Sequence, residues 1–128
     1  MRRENPAAIL IVDDDKDMLD GLSELLAAKG YQVAAARDGR EALDYLRDNP
    51  PPKLILLDIA MPRMDGWEFL RRKAQDRKLA GIPVVIMSGT ETRPPGDHAF
   101  IPKPCNPEKL LDAVRRHSSP GMDNLSSS

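Results

Sequence analysis

The stretch ILIVDDDKDML, residues 9–19, sets four apolar residues directly against three consecutive aspartates. Two carboxylates about 4 Å apart repel by about 4 kcal/mol at an effective dielectric of about 20. Such a run needs solvent, a helix N-terminus or a cation to offset the repulsion. The apolar residues ahead of it are continuous rather than alternating, as in a strand covered on both faces. Over 15–29 the pattern changes period. Met18, Leu22, Leu25 and Leu26 recur at helical spacing on one face, and Gly30 is placed to stop the helix. The stretch therefore reads as strand, acidic turn, helix.

The same alternation recurs along the chain. AILIV (8–12), LILL (54–57), PVVIM (83–87) and AFI (99–101) read as strands, with YQVAAA (31–36) a less apolar fifth. Between them, Ala42, Leu43 and Leu46 share a helical face over 39–48 behind Asp38 as cap. Trp67, Leu70 and Ala74 do so over 65–77 behind Asp65. Leu110, Leu111 and Val114 do so over 107–117, with Pro107 in the first turn and Asn106 capping. Alternating strands and helices imply right-handed βαβ crossovers and a doubly wound α/β sheet of parallel strands. NPPPK (49–53) reads as a stiff connection. TETRPPGDH (90–98) occupies the place of a fourth helix, but Pro94, Pro95 and Gly96 predict that this helix is shortened or missing. SSPGMDNLSSS (118–128) is small and polar, which predicts a folded domain over 1–117 and a disordered tail over 118–128.

Bulk properties narrow the function classes. The 128 residues suit one domain, and 19 basic against 20 acidic residues give a net charge of -1. That balance carries no footprint for direct nucleic-acid binding or for an anionic membrane surface. No apolar run approaches the roughly 20 residues of a membrane span. Cys105 is the single cysteine, so there is no internal disulfide, which fits a reducing, cytoplasmic setting.

Chemistry-bearing residues gather at strand ends. Asp13, Asp14 and Asp15 follow the first strand, Asp58 the third, Ser88 the fourth and Lys103 the fifth. Taken singly, Asp15 and Asp58 read as helix caps, Ser88 as a turn residue and Lys103 as a surface lysine. Taken together they matter more, because open parallel sheets bind ligands outside the carboxyl ends of their strands. A hard divalent cation such as Mg²⁺ takes oxygen ligands, and Asp13, Asp14 and Asp58 could supply them. Two other readings share these residues. In an EF-hand, Asp13, Asp15, Asp17 and Glu24 would fall at loop positions 1, 3, 5 and 12, but Met18 stands where glycine is needed. In a small Mg²⁺-dependent phosphohydrolase, Asp13 would be nucleophile and Asp15 acid, leaving Asp58 idle and the chain without room for a substrate cap. His98 and His117 stand alone and read as surface residues.

The elements ILIVDDD, LILLDIAMPRMDGWEFL, PVVIMSGT and AFIPKP, in this order over roughly residues 7–117, resemble a response-regulator receiver domain, the phosphoacceptor module of two-component signalling. The resemblance implies a flavodoxin-like sheet of five parallel strands in the order 2-1-3-4-5, with helices on both faces. It implies a signalling phosphoacceptor rather than an enzyme. Asp58 would take a phosphoryl group from a phosphohistidine of a histidine kinase or histidine phosphotransfer protein. Asp14, Asp58 and the carbonyl of Ala60 would hold Mg²⁺, with Mn²⁺ as a substitute, and Asp13 would hold a metal-bound water. Ser88 and Lys103 would bind the phosphoryl group. Phe100 matches the aromatic switch position, Ala60 and Thr90 the positions that tune phosphate lifetime, and Lys103–Pro104 a peptide that is cis in the family. A downstream protein would read the switched state. The rival reading is a receiver-like scaffold that binds a partner regardless of phosphate.

Overall fold

In the computed structural model, which describes residues 8–58, 66–88, 99–102 and 107–118, each apolar run forms a strand. These are β1 (Ile9–Val12), β2 (Val33–Ala36), β3 (Leu54–Asp58), β4 (Val84–Ser88) and β5 (Ala99–Pro102). All pairings are parallel, and the sheet order is β2-β1-β3-β4-β5. The described helices are α1 (Lys16–Ala28), α2 (Gly39–Asp48), α3 (Gly66–Ala74), α4 (Arg77–Ala80) and α5 (Pro107–Ser118). The stretch 90–98, where the fourth helix was expected to be shortened or missing, the caps Asp65 and Asn106, and the tail over 119–128 lie outside the described residues. The last helix runs through Ser118, one residue into the stretch assigned to the tail.

The continuous apolar runs divide between two cores by their period of two. Leu10, Val12, Ile55, Leu57, Val84 and Ile86 face one side, with Ala42 and Leu46 of α2 and Phe69 of α3. Ile9, Ile11, Leu54, Leu56, Val85 and Met87 face the other, with Leu19, Leu22 and Leu26 of α1 and Leu110, Ala113 and Val114 of α5. Full burial of each Leu or Ile side chain contributes about 1.5–3 kcal/mol, which is why β1 and β3 carry no polar residue before their last position.

Local chemistry fixes the helix ends. The Asp15 carboxylate accepts from the Met18 amide at 3.2 Å and starts α1. At the other end the Gly30 amide bonds to the Ala27 carbonyl and the Tyr31 amide to the Leu26 carbonyl, a Schellman closure. That closure puts Gly30 at φ 95°, where a Cβ would be strained. For α2, Asp38 accepts from the Glu41 amide while Glu41 reaches back to the Arg37 amide.

The third helix departs from the expected phase. Its buried residues are Gly66, Phe69 and Lys73, whereas Trp67 and Ala74 are exposed. The helix also stops at Ala74. Asp76 then caps the single turn α4, where Leu79 is buried. Two apolar stripes of helical period were present, and the sheet takes the one through Phe69. Lys73 disguised that stripe. Its stem is buried and its Nζ donates to the Ala80 carbonyl at 3.2 Å, at the end of α4.

Burial lowers the Lys73 ammonium pKa from its ordinary 10.5. The unfolded chain therefore holds more protons than the folded one between the lowered value and 10.5, so this group's contribution to stability rises with pH through that window. Lys73→Met is expected to be at least as stable as the wild type at pH 7. The difference should shrink as pH climbs towards 10.5, read as urea midpoints of both proteins. A difference independent of pH would contradict this.

Candidate functional site

Strand register assembles the acidic residues. Val12 pairs with Leu57, so Asp13, one residue past β1, stands beside Asp58 at the end of β3. Ile9 and Ile11 face the same side as Leu54 and Leu56, and continuing that alternation carries Asp13 and Asp58 to one side of the sheet. One carboxylate oxygen from each of Asp13, Asp14 and Asp58 can be chosen so that all three lie within 4.8 Å of one another. Asp13 is fully buried and Asp58 is 5 % exposed, while Asp14 is exposed.

The three consecutive aspartates divide their tasks. Asp15 turns outward and caps α1. Asp13 is held by the turn itself: its Oδ1 accepts from the Asp15 amide at 3.0 Å, and its own amide donates to the Ala36 carbonyl of β2 at 3.1 Å. Asp14, between them, remains in solvent beside the two buried acids. Helix α1 spans Lys16–Ala28, so residues 16–24 cannot form the open loop of an EF-hand, and that reading is set aside.

Two buried carboxylates at 4.8 Å repel by roughly 3.5 kcal/mol at an effective dielectric of about 20. The backbone donor on Asp13 answers part of this. A bound cation would offset more of it, and the donor set suits one. Three carboxylate oxygens are hard ligands; neighbouring oxygens around Mg²⁺ sit about 3 Å apart, so the three acids need only draw inward, or reach the ion through water, to share one.

The remaining strand ends meet the same rim. Asp58 pairs with Met87 and Ser88 with Pro102, so β3, β4 and β5 finish level with one another. Ser88 ends β4, and Phe100 pairs with Ile86 within the sheet. These two are placed by backbone register alone. Ala60, Thr90, Lys103 and Pro104 lie outside the described residues. One feature that residue type did not signal is the Asp13–Asp15 turn; an acid two residues before a capping acid is the pattern that encodes it. A groove of about 270 Å³ lined by Leu43, Leu46, Arg47, Asp76, Lys78 and Leu79 lies between α2 and α4 and shares no residue with the acidic group.

Residues 9–115 match the response regulator receiver domain family. The chain is 34 % identical over 125 residues to the response regulator MprA of Mycobacterium sp. strain KMS, covering 90 % of this chain and 53 % of that protein. It is 32 % identical over 119 residues to the polar-differentiation response regulator DivK of Brucella anthropi, covering 88 % of this chain and 96 % of DivK. Thus the chain spans about half the length of MprA and nearly all of DivK. Among solved structures, chemotaxis protein CheY4 of Vibrio cholerae superimposes with a TM-score of 0.78 at 32 % identity, over 88 % of this chain and 99 % of that one. A CheY-like receiver domain protein of Methanospirillum hungatei gives 0.81 at 29 % identity, over 94 % and 99 %. Sequence, fold and the acids at the sheet rim agree: this chain belongs to the response regulator receiver domain family of two-component signalling.

Proposed function

We propose that the chain is a phosphoacceptor whose Asp58 takes a phosphoryl group from a phosphohistidine of a histidine kinase or histidine phosphotransfer protein, and that the change switches its contacts with a downstream protein. The observation that carries this reading is the meeting of Asp13, Asp14 and Asp58 oxygens within 4.8 Å at the carboxyl rim of a receiver fold.

A carboxylate oxygen of Asp58 attacks phosphorus as the N–P bond of the donor breaks. The bonding pair stays on the imidazole nitrogen, which takes up a proton, and an acyl phosphate forms on Asp58. The transition state is loose and anionic, so the chain contributes positioning and charge. Asp14, Asp58 and the Ala60 carbonyl would hold Mg²⁺ directly and Asp13 through a water. Bound there, the ion supplies positive charge to the phosphoryl oxygens. Lys103 would supply a second positive charge as a flexible ammonium, and Ser88 a hydroxyl donor. Phe100 would respond by repacking alone, having no hydroxyl. Ala60 and Thr90, at the positions that tune phosphate lifetime in the family, are small side chains that would leave water access. A cis Lys103–Pro104 peptide belongs to the same reading, as does a cytoplasmic setting. Among the described residues no helix is long and apolar enough to cross a membrane. The phosphohydrolase reading is weaker, because Asp15, its acid, is engaged as the cap of α1.

The test is transfer of labelled phosphate from a panel of phosphorylated histidine kinases and phosphotransfer proteins, in parallel with the small donor phosphoramidate. Rapid labelling from one protein donor, requiring Mg²⁺, is expected. No labelling from any protein donor or from phosphoramidate would contradict the reading.

A further inference from the structure

Among the described residues, Trp67 is the one exposed large hydrophobic side chain, at 37 %. It lies in the first turn of α3, which starts at Gly66. Because β3 and β4 are parallel, α3 must leave from the end of the sheet where Asp58 sits and return towards the other. Trp67 therefore stands at the same rim as Asp13, Asp14 and Asp58. Its charged neighbours are satisfied by one another: Glu68 accepts from both Arg71 and Arg72. What the first turn of α3 presents outward is a partly exposed indole beside a paired Glu68–Arg71–Arg72 cluster of net charge +1.

Resting on the phosphoacceptor reading, we infer that Trp67 is a docking contact for the protein phosphodonor, setting preference for a protein over a small-molecule donor. Asp58 is nearly buried at the rim, so a donor histidine reaches it only if the donor protein presses on that rim. A stable protein contact covers about 800 Å² per partner, a disc of roughly 16 Å radius. A disc of that size centred on Asp58 reaches well past the acids, towards the helix starts that leave the same rim. Tryptophan is also among the residue types that most often dominate such contacts. Phosphoramidate carries the same N–P bond without a protein surface, so it reaches Asp58 without touching α3.

The experiment compares Trp67→Ala and Trp67→Phe with the wild type. One donor is the fastest protein donor of the panel above, and the other is phosphoramidate. Trp67→Ala should slow transfer from the protein donor about tenfold or more at sub-saturating concentration, through a higher half-saturation concentration. Trp67→Phe should recover most of this, and both should label from phosphoramidate within about twofold of wild type, since a small donor buries no protein surface. Equal losses with both donors would place Trp67 in folding or in the chemistry, and no loss with the protein donor would remove it from the contact. Either overturns the proposal while leaving Asp58 as the acceptor. If Trp67→Ala instead dissolves a wild-type dimer seen by sedimentation, with transfer unchanged, a second copy covers the indole and the donor assignment is wrong. If phosphoramidate labels Asp58 but no protein donor exceeds it, the protein-donor part of the functional reading fails, and this proposal with it.

Discussion

Asp58→Asn is expected to abolish phosphorylation by both phosphoramidate and protein donors, while the fold remains. The amide has nearly the shape of the carboxylate but lacks its nucleophilic oxygen, so the acceptor is lost without a cavity being made. The variant should also be more stable than wild type in the absence of divalent cations. Asp58 lies within 4.8 Å of Asp13 and both are buried, so removing one charge relieves the repulsion of roughly 3.5 kcal/mol at an effective dielectric of about 20, less what the other contacts of Asp58 contribute. Labelling read by gel and urea midpoints without metal check both halves. Persistent labelling would move the acceptor to another residue, and lower stability would mean that the Asp58 charge is better compensated than the described geometry implies.

Asp14→Ala is expected to remove the effect of Mg²⁺. For wild type, Mg²⁺ at ten times its dissociation constant should stabilise the folded state by about 1.4 kcal/mol, since it binds the assembled acids and not the unfolded chain. Asp14 is exposed, so its truncation leaves the core intact while taking away one of the three oxygens. The increment in urea midpoint on adding Mg²⁺ should fall to near zero, and most phosphorylation should go with it. Trp67, the chain's one tryptophan, offers a fluorescence readout of the same titration. An undiminished Mg²⁺ increment would exclude Asp14 from the site.

The sheet and its rim were legible because their signals are local and strong. Continuous apolar runs identify strands covered on both sides, and three acids following one of them demand compensation. Asp38 and Gly30 were legible as helix boundaries for the same reason: each satisfies backbone groups that a helix end leaves open. The phase of α3 was not legible. Phe69 and Trp67 both lie on helical stripes, and a lysine at 73 argues against the stripe that the sheet in fact covers. Only the third dimension supplies the Ala80 carbonyl that receives the buried ammonium. The turn α4 was missed because a single turn has too few residues to show a period. At the site, position along the chain already favoured Asp15 as the helix cap and left Asp13 and Asp14 for the cation, but could not tell those two apart. Asp15 does cap the helix, and burial separates the other two, sending Asp13 into the interior and leaving Asp14 in solvent.

The most direct measurement of the central claim is a Mn²⁺ titration followed by amide resonances, since a paramagnetic ion broadens the groups nearest to it. Broadening should begin at the amides of residues 12–15 and 57–58, be displaced by excess Mg²⁺, and vanish in Asp14→Ala. Broadening that starts instead along the exposed acids Asp17, Asp20 and Glu24 of α1, or that survives excess Mg²⁺, would show that the acids at the sheet rim do not form the cation site.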